Sequence, residues 1–427
     1  MREAWKDILV QDLVDSGQAE LKTGPFGTQL HASDYVEHGT FVINVRNIGF
    51  GEIRDGDLNF INDETVNRLS GHLLQAGDIV FGRKGAVERH VFIRKKYAGW
   101  FQGSDCLRLR VSSKEVEPQF LSYCFQTDFH KRWMVNHCSH GATMTSLNQE
   151  IICRIPLRLP PVKTQRQVIG ILSAYDDLIE NNTRRIQILE QMAQSIYREW
   201  FVHFRFPGHE KVKLVESPLG KIPQEWQPAV FTDIGNILSG GTPSTRVAEY
   251  WDGDIPWFTP RDAAGSFYVT ETEKHITQAG VNNCASEIYP KDTIFITARG
   301  TVGKLALTAV PMAVNQSCYA VQGKLGYEPR FVYLVLRARI DYLKKNTGGA
   351  TFDTIITDTF KRMSILKPPP SLAQDFEIIV EPFFERIRLL HLQNANLRRT
   401  RDLLLPRLIS GELDVSELDI ENAEKVV

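Results

Sequence analysis

"GDIVFGRKGAV" occupies Gly77–Val87 and "KDTIFITARGTVG" occupies Lys291–Gly303. Each reads as a buried strand running into a glycine-punctuated basic loop, and laying one on the other divides the chain into two halves. Asp78 falls opposite Asp292, Cys106 opposite Cys318, "EPQFL" from Glu117 opposite "EPRFV" from Glu328, and "GAT" at Gly141 opposite "GAT" at Gly349. The offsets are 214, 212, 211 and 208. They fall in one direction, as small loop deletions make them, whereas chance matches scatter. Trp5 with Trp226 and "DYVEHG" with "EYWDGD" keep the same register upstream. A period of roughly two hundred residues is a duplicated domain, far above solenoid repeats.

Each copy splits alike. Its first part is mixed: "FVINV" and "DIVF" alternate like half-buried strands, and "EPQFLSYCF" opens with Pro in a helical first turn, so an α+β domain is expected. Its second part follows a proline break, "LPPVKTQRQ" or "KPPPSLAQD", where Thr164-x-x-Gln167 and Ser371-x-x-Gln374 have the form of capping boxes. Long helices are expected beyond. Leu172, Ile179, Ile186, Ala193 and Trp200 recur every seven residues, with Tyr175, Leu189 and Ile196 three further on. Phe376, Phe383, Leu390, Leu397 and Leu404 repeat the pattern, flanked by Val380, Ile387 and Leu408. Two heptad seams with one Asn each, Asn182 and Asn394, point to an antiparallel coiled coil whose register the amides set. The competing reading packs each stripe on its own domain, and Pro382 and Arg401 blemish the second seam. From Thr164 to Phe201 such a rod measures roughly 55 Å. The expected organisation is a first domain 1–160, a central helix 161–206, a second domain 207–368, a distal helix 369–411 and an acidic tail 412–427.

With 42% hydrophobic and 24% charged residues the chain has a globular composition. It has no apolar run of the ~18 residues that suggest a membrane span, and its start lacks a signal-peptide core, so a cytoplasmic protein without membrane contact is expected. Six cysteines without a C-x-x-C pair suggest buried thiols; the patch Cys124, His130, His137, Cys138 and His140 fits no standard zinc spacing. The net charge of −1 argues against a simple polyanion binder, yet the tail from Gly411 holds −5 of it, leaving +4 elsewhere.

Catalytic motifs are missing. Gly49-Phe-Gly51 lacks a third glycine, "ARGTVGKL" lacks the ends of a phosphate loop, and no Asn/Asp-Pro-Pro-aromatic methyltransferase motif occurs. Asp15 with Glu20-x-Lys22 imitates a nuclease triad, a pattern common by chance. A doubled chain without doubled chemistry reads as a reader or a scaffold, with no catalytic or metal residues to name. The recurring loops set Arg83, Lys84, Arg89, Arg299 and Lys304 beside glycines, where cations can meet phosphate. Lys22, Gln29, Arg46, Asn47, Gln102 and Ser104 in the first half, and Arg246, Arg261, Asp262, Asn315 and Gln316 in the second, are candidates for DNA contact, several through base edges. Leu172, Ile179, Asn182, Ile186, Leu189 and Ile196, with Phe383, Ile387, Leu390, Asn394, Leu397 and Leu404, are the candidate coiled-coil and partner interface.

"KTGPFGTQLHASDYVEHGTFVINVRNI", "LGKIPQEWQPAVFTDIGNILSGGTPSTRVAEYWDGDIPWFTPRD", the proline-led helices and "LLLPRLISGELDV" resemble the specificity subunits of type I restriction-modification systems, from Trp5 to about Val415. The resemblance implies two target recognition domains, each reading one half of a split double-stranded DNA site. It also implies a coiled coil that sets the spacer and docks two methyltransferase subunits, with restriction/translocase subunits joining them. The chain itself would bind no cofactor; S-adenosylmethionine and ATP with Mg would sit on the partners. Two other readings are a self-contained DNA methyltransferase or endonuclease, and a scaffold for protein or RNA.

Overall fold

A computed structural model describes residues 5–54, 56–140, 145–218, 220–263, 265–346 and 354–418. Both "GAT" repeats lie outside the described residues. The chain is α+β and forms two units, residues 1–177 with 398–427, and 178–397. Each boundary falls inside a long helix, whereas the sequence reading set the helices apart as separate segments. The reason is that each helix half packs on the core of its own unit.

In the first unit, β1 (Ala19–Thr23), β2 (Phe50–Gly51), β3 (Ile79–Gly82), β4 (His90–Phe92) and β5 (Cys106–Val111) form one sheet in the order β1-β5-β3-β4-β2. All neighbours are antiparallel except β2 and β4, which run parallel. Ile79 and Phe81 face a core with Leu107, Phe120 and Phe125, while Val80 and Val91 face a second cluster. Burial on both faces explains why "IVF" reads as a continuous apolar run. In the second unit, β6 (Gly235–Ser239), β7 (Tyr268–Val269), β8 (Ile294–Thr297), β9 (Leu305–Thr308) and β10 (Cys318–Gly323) repeat the order as β6-β10-β8-β9-β7. Here too the edge strand β7 runs parallel to its neighbour.

The pairing corrects the register of the repeat by one residue. Cys106 pairs with Gly82 and Cys318 with Thr297, so Gly82 and Thr297 are equivalent. Thr293 therefore stands where Asp78 does, and Asp292 where Gly77 does, both of these last at positive φ (66° and 94°). The two aspartates occupy successive positions of one turn.

The central helix spans Val162–Phe201 and the distal helix Pro370–Ser410. In the second unit Asn182 Nδ2 donates to Asn394 Oδ1 at 3.0 Å, and the Trp200 and Phe376 rings lie 5.7 Å apart. Moving up one helix while moving down the other fixes an antiparallel pair. Leu172, Ile179, Ile186, Ala193 and Trp200 are all buried. Tyr175, Leu189 and Ile196 are half-buried. On the distal helix the predicted row is only partly core: Phe376 and Leu390 are buried, but Phe383, Leu397 and Leu404 are half-buried. The deeper row runs through Ala373, Val380, Ile387, Asn394 and Leu408, with Phe384 and Leu405 beside it. Arg401 is tolerated in that row because its Nη1 donates to Asp176 Oδ1 at 2.7 Å. Pro382 does not break the helix: it and Ile378, four residues earlier, are exposed, so water can serve the carbonyl left without a donor.

Neither capping box forms. The helices start at Val162 and Pro370, which puts Thr164 and Ser371 inside the first turn. Gln167 instead donates to the carbonyls of Ser416 and Leu418, tying the tail to the first unit. Val415 is buried in that unit's core, and a side chain at Gly411 would collide with the Trp5 ring.

Candidate nucleic-acid interface

One end of each sheet carries a cluster of loops built in the same way twice. Parallel bridges set Ile43 beside Gln102 and Phe258 beside Val314. Gly103 N then donates to Ile43 O, and Asn315 N to Phe258 O. A side chain at Gly24 would collide with the Gly103 carbonyl, and one at Gly240 with the Asn315 carbonyl, so glycine lets a second loop close over the first in both units. Asn44–Asn47 and Thr259–Asp262 are equivalent turns, each locked by its last side chain: Asn47 Oδ1 accepts from Asn44 N at 3.1 Å, and Asp262 Oδ2 from Thr259 N at 2.7 Å. Beside each lock an arginine is exposed, Arg46 or Arg261.

The basic loops are equivalent at an offset of 215, which changes which residues correspond. Lys84 forms an isolated antiparallel bridge with Ser146, and Arg299 one with Thr354, so these two cations share the loop tip. Gly85 and Gly300 follow them with φ of 79° and 82°. Arg89 and Lys304 share the loop base, their carbonyls accepting from Gly82 N and Thr297 N. Arg83 matches Ala298 and has no basic counterpart. Lys84 Nζ lies 3.0 Å from Asp105, and Lys304 Nζ donates to Ala263 O at 3.3 Å. Among the described residues Arg83, Arg299 and Gln316 have no side-chain partner, and Arg89 has no ion pair. Three cations thus recur at matched positions in each unit: Arg46, Lys84 and Arg89 in the first, Arg261, Arg299 and Lys304 in the second.

Several sequence candidates belong to the scaffold instead. Asn47 is fully buried, and its Nδ2 donates to Arg54 O and Gly56 O. Gln102 is fully buried and donates to Lys22 O and Cys106 O. The Asp262 carboxylate is consumed by Thr259 and Glu273 N. None of the three can offer an edge to a base. Lys22 is half-buried on β1 and donates to Gly71 O; Gln29 is exposed, with its Oε1 accepting from Phe26 N. Asn315 Oδ1 accepts from Ser317 N. Ser104 is half-exposed, its counterpart Gln316 exposed, and Arg246 exposed on a turn. The sequence reading missed Phe50, an exposed ring beneath Arg89 at 5.4 Å. A lone Phe next to glycines carries no signal of exposure.

Of the remaining residues singled out in the sequence, His130, His137 and Glu20 have structural partners. His130 is buried, with Nδ1 against Thr127 Oγ1 and Nε2 against Pro156 O, and burial lowers its pKa. Cys124 is a fully buried thiol, its pKa raised by burial. Glu20 pairs with Arg108 rather than joining Asp15 and Lys22. No described helix is long and apolar enough to cross a membrane.

The sequence pattern of the type I restriction modification DNA specificity domain matches residues 39–191 and again 223–399. The type I restriction enzyme HindI specificity subunit of Haemophilus influenzae is 24% identical over 87% of this chain and 94% of its own length. The MjaIX specificity subunit of Methanocaldococcus jannaschii is 34% identical over 47% of this chain and 46% of its own, so that match spans about half of either protein. In fold, the crystal structure of a type I restriction-modification S subunit from M. genitalium superposes with a TM-score of 0.59 at 14% identity, covering 95% of this chain and 96% of that one.

Proposed function

The chain belongs to the type I restriction-modification DNA specificity family, and from that premise we propose that its two units read the two halves of a split site in duplex DNA. The observation that carries this is the doubled loop cluster: matched cations at a turn, a loop tip and a loop base, on sheets of one topology. Arginine can read guanine through two hydrogen bonds, and lysine or arginine can neutralise phosphate. A chain of net charge −1 needs help with the backbone, and modification subunits docked on the paired helices would supply part of that grip. On this reading the chain is non-catalytic. Methyl transfer with S-adenosylmethionine and ATP-driven restriction belong to two modification subunits and to restriction/translocase subunits in the cytoplasm.

The test exchanges residues 1–155 for the same region of a relative and sequences the methylated sites of cells carrying the complete system. One half of the methylated motif should change while the other half and the spacer persist. A change in both halves, or in neither, would overturn the reading.

A further inference from the structure

The edge of the first sheet holds an exposed cluster that the described residues of the second unit do not repeat at the equivalent position. Phe50 in β2 is 40% exposed. The Arg89 guanidinium lies 5.4 Å from its ring centroid and the Lys131 ammonium 5.1 Å. Two cations held by one ring can be no more than ~10 Å apart, about one Debye length at 0.1 M salt, so they repel. Neutralisation is thin: Asp128, 80% exposed, comes no closer than 3.9 Å to Lys131, and no described carboxylate pairs with Arg89. Arg89 Nε is buried without an acceptor, a donor left unsatisfied. Strand register sets Ser266 at the same edge position in the second unit. There the hydroxyl donates to Glu190 Oε1 at 2.6 Å and meets His391 Nε2 at 2.6 Å, so the edge is closed by the helices.

We infer that Phe50, Arg89 and Lys131 form a sequence-independent seat for a phosphodiester of duplex DNA flanking the half-site read by the first unit. The chemistry selects a polyanion: two cations, Arg89 without a carboxylate among the described residues and Lys131 paired only with the exposed Asp128 at 3.9 Å, stand beside a half-exposed aromatic face and suit a phosphate with its sugar packed on the ring. Position favours DNA over an acidic protein. Arg89 is the base of the recognition loop, and Phe50 follows the Arg46 turn by four residues, so the seat continues the reading surface. Its consequence is asymmetry: the first unit grips DNA beyond its half-site at this edge, and the second does not. The inference rests on the proposed reading of duplex DNA.

The test measures binding of the full chain with its modification subunits to two duplexes, one ending at the first half-site and one extended by about one helical turn beyond it. Wild type should prefer the extended duplex. K131A and F50A should lose that preference, with K131A making the log affinity against log salt slope shallower by about 0.9, the loss of one phosphate contact. K131R should restore it, and discrimination against a single-base mismatch in the first half-site should not move. Unchanged salt slope and flank preference in K131A and F50A would overturn the seat. Weakened assembly with modification subunits at unchanged DNA slope would reassign the patch to a protein and overturn it equally. Should wild type show no preference for any split site, the proposed function fails, and the flank comparison on arbitrary duplex still judges the seat.

Discussion

The two units carry the same sheet and secure it differently. In the first, the buried Asp78 is neutralised within the sheet by Arg110 on the adjacent strand, at 2.7 Å through both Nε and Nη2, and also accepts from Gln75 N. In the second, Asp292 accepts from Tyr268 and meets Arg330 at 3.3 Å, and Arg330 reaches on to Glu377 of the distal helix at 2.9 Å. Glu377 Oε2 also accepts from Phe331 N, a first-turn amide of the helix Pro329–Ala338. In the first unit a long-helix side chain serves the start of the equivalent helix Pro118–Gln126 three residues earlier, Gln165 Oε1 of the central helix accepting from Glu117 N at 2.9 Å. What duplication preserves is a buried acid at one turn and a long-helix side chain at one helix start; the element that supplies the counter-charge is free to change. The second unit is thereby bolted to its helices by charge, and the first holds its buried acid without them.

That contrast breaks most readily at Arg330. Replacing it with Met takes the guanidinium from two buried carboxylates, leaving Glu377 with no cation and Asp292 with only Lys291 at 3.7 Å, whereas replacing Arg110 with Met strips the cation from Asp78 alone. Removing one partner of a buried pair costs about 3–5 kcal/mol, so R330M should unfold the second unit at markedly lower denaturant than R110M unfolds the first. Proteolysis resolving the two units during a denaturant titration is the check, and equal losses would erase the distinction. A smaller effect separates the reading surfaces. R261A should cost about 1–3 kcal/mol of base discrimination in one half of the site and leave the other half intact, with R46A doing the reverse. Competition binding with half-site mismatches would show it, and either variant degrading both halves would break the assignment of one unit to one half.

How much of this the sequence displayed depends on what kind of signal each residue gives. The duplication, the α+β character and the heptads were legible because they are periodic, and periodicity survives ignorance of tertiary contacts. Asn182 with Asn394 was legible too, since an amide in an apolar seam needs a partner and each seam held one. The register near Asp78 was misread because two aspartates one position apart do the same burial work. Asn47, Gln102 and Asp262 were misread as base readers because an amide or carboxylate that locks a turn looks, in sequence, like one that reads a base. Phe384 and Leu405 were missed because a helix that packs on both a partner helix and a domain widens its apolar stripe beyond two heptad rows. Ser266 and Phe50 share an edge position, yet nothing in either residue shows that one is covered and the other open.

The finest test of the contrast is acid. Glu385 on the distal helix accepts from Arg388 Nε and Nη2 at 3.0 and 2.5 Å and from Lys291 Nζ at 3.3 Å. Those hydrogen bonds, Arg388 foremost, hold its carboxyl at about 2 against an ordinary value of 4.5. A carboxylate depressed in the folded state binds fewer protons folded than unfolded, so its stabilisation is complete above pH 4.5 and is lost as pH falls towards 2. Because the Glu385 side chain is 35% exposed, screening limits the contribution to about 1 kcal/mol or less. Lys291 also lies 3.7 Å from Asp292, so this surface clamp abuts the buried acid of the second unit. E385Q should therefore flatten the fall in the second unit's stability between pH 4.5 and 2 and leave the first unit's curve unmoved. Denaturant midpoints followed by unit-resolved proteolysis across that window supply the measurement. Parallel curves for wild type and E385Q would mean that this helix-to-domain clamp of the second unit adds nothing to its acid stability beyond what the first unit has from its own pairs, Arg94 with Asp177 and Arg166 with Glu117.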